Sequence, residues 1–191
     1  MFEVRIHGRG GQGVVTAAEL LSVAAFLEGK HAQAFPSFGS ERTGAPVVSF
    51  CRIDDKEIRL REPIRQPDTL IVQDPTLFKA VTDVFDGIKP NSYLLINTNK
   101  SFAELHLADI VTKLPAGHAC TVPASELALR YIGRPLPNAA LLGAFAALTG
   151  IVHLQSVATA IRQTFSGKIA EANVAAASAA HDAVAAAPLA A

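Results

Sequence analysis

Apolar residues along the chain change period in a regular way. Phe2 to Ile6 alternates as a strand does, and Gly8-Arg9-Gly10-Gly11-Gln12-Gly13 interrupts it. Val14 to Glu28 is then rich in Ala, Leu and Val, with Thr16, Glu19 and Ser22 spaced by three. This pattern predicts a strand, a glycine loop and a mostly buried helix with one narrow polar stripe, stopped at Gly29. His31 to Phe35 is a second candidate strand, followed by a polar loop from Pro36 to Gly44. Val47 to Ile53 and Glu57 to Leu60 flank Asp54-Asp55-Lys56 and predict a β-hairpin.

Thr69 to Gln73 is a short apolar strand that runs into Asp74-Pro75, a helix-opening pair, and a helix through Phe85 is expected. Tyr93 to Ile96 and His118 to Val122 are further strands. Between them, Ser101 and Glu104 have capping-box spacing and open a short helix. From Pro123 onward the pattern is helical, over 124–131, 138–148, 156–165 and 168 to about 187, with Asn138 expected as an N-cap. Strands alternating with helices predict an α/β fold: three layers, α/β/α, on a mostly parallel sheet with one antiparallel hairpin, in a single domain over 1–191.

Composition narrows the function. Half of the 191 residues are hydrophobic and 18% are charged, enough apolar surface to bury a core. Seventeen basic and seventeen acidic residues cancel, which argues against a nucleic-acid partner, since phosphate binding needs a basic excess. A neutral, apolar chain of this kind is expected to have part of its surface covered by another chain. Pro135 to Ile161 carries no charge, yet its prolines, glycines and polar residues leave only Ala139 to Val152 densely apolar, a buried helix rather than a membrane span. Phe2 to Ile6 is already a strand, without the organisation of a signal peptide, so a cytoplasmic location is expected.

Two isolated cysteines, Cys51 and Cys120, cannot build an iron–sulfur cluster or a structural zinc site unaided. No histidine spacing suggests a metal or catalytic site, and His7, beside the glycine loop, is the one worth testing. Arg52, Lys56, Arg59, Arg61 and Arg65 are interspersed with Asp54, Asp55, Glu57 and Glu62, which reads as a solvated hairpin face. Arg59 and Arg61 share one side of the expected strand and are weaker candidates for a phosphate contact.

Gly8, Gly10 and Gly13 satisfy G-x-G-x-x-G between a strand and a helix, where backbone N–H groups approach an anion and the helix N-terminus favours negative charge. A dinucleotide fingerprint also needs an acidic residue ending the second strand to hold the ribose, and Phe35-Pro36-Ser37 supplies none. A stand-alone dinucleotide-binding oxidoreductase is therefore disfavoured. A turn that only packs helix on strand, in an architectural interaction domain, stays open.

The run Gly8-Arg9-Gly10-Gly11-Gln12-Gly13-Val14-Val15-Thr16-Ala17-Ala18, the run Phe35 to Val47, Asp74-Pro75 and Asn138 to Phe145 together resemble the gamma subunit or domain of the pyruvate:ferredoxin oxidoreductase family of 2-oxoacid:acceptor oxidoreductases. The resemblance extends from Phe2 to about Ala177. It implies a subunit of a complex that oxidatively decarboxylates a 2-oxoacid to an acyl-coenzyme A. Thiamine diphosphate, magnesium and 4Fe-4S clusters would sit on alpha-, beta- and delta-type partners, coenzyme A would be the co-substrate, and ferredoxin or an NAD-reducing subunit the acceptor. It further implies no catalytic residue and no metal ligand on this chain. The candidate cofactor-contacting residues are Gly8, Gly10, Gly11, Gln12 and Gly13 of the glycine loop, with Glu41 and Arg42 of the second loop, a charge pair expected either to hold that loop in place by pairing or to reach an adjoining subunit.

Overall fold

In the computed structural model, which describes residues 1–37 and 43–187, the first strand is the middle of the sheet. The strands are β1 (Phe2–Arg9), β2 (His31–Pro36), β3 (Pro46–Asp54), β4 (Thr69–Val72), β5 (Tyr93–Asn97) and β6 (Ala119–Val122), in spatial order β2-β3-β1-β4-β5-β6. β1, β4, β5 and β6 run parallel, and β3 is antiparallel to both β1 and β2. The helices are α1 (Val14–Leu27), α2 (Leu77–Ala80), α3 (Ala108–Val111), α4 (Ala124–Ile132), α5 (Asn138–Thr149), α6 (Leu154–Thr164) and α7 (Gly167–Ala185).

Alternation along the strands sorts two unlike faces. Val4, Ile6, Cys51, Ile53, Ile71, Leu95 and Val122 point to one face and pack in a single apolar cluster with α1 and α4 to α7. The charge-free run becomes α5, buried from Asn138 to Ala146, and α6. Gly143 fits there because a Cβ at that position would land on the carbonyl of Ala177 in α7, so the two helices pack backbone to backbone. Among the described residues no helix is long and apolar enough to cross a membrane.

On the opposite face, Leu70, Val72, Leu94 and Ile96 pack against Leu77, Val84, Leu107 and Leu114 beneath the short α2 and α3. The β1–β3 half of that face has no helix. Two buried arginines there hold an irregular strap, residues 57–67, by its carbonyls. Arg52 donates to Leu60 and Glu62 and pairs with Glu3 at 2.8 Å, and Arg5 donates to Ile64 and Arg65.

The antiparallel hairpin is therefore β2–β3, not Val47–Ile53 with Glu57–Leu60. Both edges of β3 are taken by β1 and β2, and Glu57 to Leu60 is not a strand. Arg52 is a buried clamp rather than a solvated residue, whereas Arg59 is exposed and meets only Glu57. Arg59 and Arg61 share no strand face, which removes the geometry for a phosphate contact.

The helix expected through Phe85 stops at Ala80, because Val81 turns extended (φ −132°, ψ 119°) and the chain continues in turns that present carbonyls to Arg5. At Ser101 the capping box forms, with Glu104 accepting from the Ser101 N–H and hydroxyl, but no regular helix grows from it. His106 at φ 58° breaks the turn before α3.

Candidate functional site

α1 leaves the end of β1 for one face of the sheet, and α2 leaves the end of β4 for the other. The gap between adjacent parallel strands whose connections diverge is the usual ligand crevice of an open α/β sheet. Here the glycine loop forms one wall and Asp74-Pro75 the other.

The loop's residue types follow from its contacts. Gly11 and Gly13 have φ of +89° and +70°, a region that side-chain-bearing residues rarely adopt. A Cβ on Gly13 would also strike the amide of Asn138 at 2.6 Å, and one on Gly8 would strike Val14 at 2.6 Å. Gly10 is held on both sides, its N–H donating to Ala45 and its carbonyl accepting from Gly44, and it bridges to Thr43. The far end of the second loop thus returns alongside the glycine loop. Glu41 and Arg42 lie outside the described residues.

A polar latch fixes the crevice. Gln12 Nε2 donates to Asp74 Oδ2 at 2.9 Å while its Oε1 accepts from the Arg9 N–H at 2.8 Å. Arg9 reaches the same carboxylate oxygen at 3.1 Å, and also Thr76 and the Gly44 carbonyl. The other oxygen of Asp74 accepts from the Thr76 N–H and hydroxyl. Burial works against ionisation of Asp74, but the bonds from Thr76 and Gln12 and the charge of Arg9 outweigh it and hold the carboxyl below its ordinary range.

Behind the latch lies a cavity of about 260 Å³ across the ends of β4, β5 and β6. Asn97 ties it together, donating to the Gln73 carbonyl at 2.7 Å and to Ser125 Oγ at 2.8 Å, and accepting from the Ser125 N–H. Gln73 is buried, and both of its side-chain polar atoms lack a partner among the described residues, an expensive condition for an interior amide. The N-cap residues of α1 and α4, whose N-termini border the cavity, make no side-chain capping bond, although Asn97 takes up the Ser125 N–H in the first turn of α4, and Gly13 abuts the first residue of α5. The arrangement suits an anionic or amide-bearing ligand.

The structure brings Gly8, Gly10, Gly11, Gln12 and Gly13 together as the sequence suggested. It corrects Asn138: Pro137 holds the N-cap position, and Asn138 is the first helical residue, packed beneath Gly13 without a capping bond. Sequence reasoning missed Arg9, Gln73, Thr76, Asn97 and Ser125. Only Gln73 carried a signal, as the last residue before Asp74-Pro75. His7 belongs to the opposite sheet face. Cys51 lies in the core and Cys120 is half-buried on β6, and burial pushes both thiols up to about 12.

Comparison with known proteins identifies the family. Residues 3–183 match the family described as pyruvate ferredoxin/flavodoxin oxidoreductase. The chain is 50% identical over 177 residues to the pyruvate/ketoisovalerate oxidoreductases common subunit gamma of Thermococcus kodakarensis, covering 93% of this chain and 94% of that one. It is 48% identical over 182 residues to pyruvate synthase subunit PorC of Methanocaldococcus jannaschii, covering 95% and 96%. The crystal structure of pyruvate oxidoreductase subunit PORC from Thermotoga maritima superposes with a TM-score of 0.79 at 36% identity, covering 95% of each chain. The chain belongs to the pyruvate ferredoxin/flavodoxin oxidoreductase family, as the gamma subunit of a 2-oxoacid:ferredoxin oxidoreductase complex.

Proposed function

We propose that this subunit contributes a coenzyme A contact to its complex, with the glycine-loop crevice holding a phosphate and Gln73 reading an amide of the same ligand. The observation that carries the reading is the buried Gln73 carboxamide, without a partner among the described residues, in a cavity bordered by the N-termini of α1 and α4. Gly11 and Gly13 keep the backbone bare for close approach. Arg9, Asp74 and Thr76 satisfy one another and hold the wall in place, so they are positioning residues. Coenzyme A supplies the thiol that accepts the acyl group, and the residues named here bind and orient it.

Thiamine diphosphate with magnesium, and the 4Fe-4S clusters, belong in this reading to alpha-, beta- and delta-type partners in the cytoplasm. It is supported by the resemblance of the sequence and by two isolated cysteines, too few to cage an iron–sulfur cluster. In the assembled enzyme, Gln73→Leu and Gly10→Val should each raise the KM for coenzyme A about tenfold or more with a smaller change in kcat. An unchanged KM for coenzyme A in both variants rejects the reading.

A further inference from the structure

On the helix-free half of the sheet, Arg5 and His7 project from β1 into a second cavity of about 470 Å³, lined also by Val48, Phe50, Ile64 and Asp83. We propose that this cavity binds a small organic carboxylate, its oxygens on Arg5 Nε and His7 Nε2 and its short apolar tail against Val48, Phe50 and Ile64. The site is separate from the glycine-loop crevice and does not depend on the coenzyme A reading.

The argument begins with two atoms. Arg5 and His7 are both buried, yet Arg5 Nε and His7 Nε2 have no partner among the described residues. The other end of the Arg5 guanidinium is fully engaged. One terminal nitrogen donates to the Ile64 and Arg65 carbonyls, the other to those of Val84 at 3.1 Å and Asp86 at 2.5 Å. Carbonyl dipoles solvate the cation without cancelling its charge, and among the described residues no carboxylate is bonded to it, so Nε–H is a charged donor without an acceptor there.

His7 lies two residues further along the same strand face, about 7 Å away. The charged groups around it are Arg5 on β1, Arg65 on the strap, and Asp83 and Asp86 on the turn before β5. Burial, then the charge of Arg5, lower its pKa to about 4 against the opposing pull of Asp83. The imidazole is therefore neutral at neutral pH, and as the Nε2–H tautomer it offers a second donor. Two donors and an apolar wall in a volume far larger than a water's share of about 30 Å³ match a carboxylate with a short hydrocarbon tail.

Calorimetric titration of the full chain in its purified assembly with 3-methylbutanoate tests this. Binding should be saturable and at least about tenfold tighter than that of 3-methylbutanol, which lacks the charge. A carboxylate beside His7 also stabilises the imidazolium, so titrations near pH 5 should take up protons, seen as a heat that depends on the buffer's ionisation enthalpy. His7→Phe should abolish the proton uptake and weaken binding about tenfold. Val48→Phe fills the cavity from the β3 position opposite His7 while leaving Arg5 and His7 in place, and should also remove binding. Absence of saturable heat, equal affinity for the alcohol, or a crystal structure grown with the acid that shows only waters there overturns the proposal.

Discussion

On one side of β1, Val4 and Ile6 meet a layer of five helices; on the other, Arg5 and His7 meet a strap with no regular structure. The helical side closes by shape. Alanines and Gly143 let α5 and α7 approach until backbone touches backbone, and the few buried polar side chains bond to nearby carbonyls, Ser49 to Val14 and Asn173 to Ile169. The strap side closes by hydrogen bonds from two arginines to carbonyls of a segment that has no ladder to satisfy them. The first surface tolerates no added volume, and the second tolerates no lost donor. On the strap side the contrast leaves a cavity of about 470 Å³ walled partly by buried polar groups.

Adding volume to the helical side should do the most harm. Gly143→Ala drives a methyl into the Ala177 carbonyl, and we expect a loss of about 3 kcal/mol or more, read from denaturant midpoints. Arg5→Met, which keeps bulk but frees four carbonyls, should cost about 3 kcal/mol; a loss below about 1 kcal/mol would break the contrast.

Protonation of His7 acts on the strap side. The unfolded His7 imidazole takes a proton below its ordinary 6.5, the folded one only below about 4. The stability that neutral His7 permits is complete above 6.5 and declines as pH falls from 6.5 to 4, by about 3 kcal/mol at most. His7→Phe should flatten that part of the stability profile.

Asp74→Asn, which weakens the latch between loop and helix, should cost about 1–2 kcal/mol. Because the Asp74 pKa is depressed, the contribution of its carboxylate is present above the ordinary 3.8 and is lost as pH falls below it, so wild type and variant should converge in acid. The smallest effect belongs to Arg59→Ala, within about 0.5 kcal/mol, since Arg59 and Glu57 pair in solvent.

Sequence alone revealed the first strand, the glycine loop and α1, because a period-2 pattern turning into a helical one across closely spaced glycines has few structural solutions. It misjudged β3. Val47 to Ile53 is evidently a strand, but its partners are chosen by burial across the sheet, and Glu57 to Leu60 imitates a strand without being able to offer an apolar face. Arg52 was misread for a related reason: a basic side chain looks solvated until distant carbonyls are brought over it. In the crevice the glycines were legible, since bare backbone is a local requirement. Gln73 was not, because its isolation is created by three strands and a helix start that meet only in the folded chain.

The position of β1 bears on biosynthesis. β1, at the centre of the sheet, is made before both of its neighbours, β3 and β4, which leave the ribosome later. The helical layer over it closes last of all, when α7 settles on α5. A nascent chain therefore has α1 available to β1 early but lacks the sheet partners of β1 until β3 and β4 emerge and the α5–α7 part of the layer until later still, an exposure that favours chaperone holding and makes early termination products prone to aggregate.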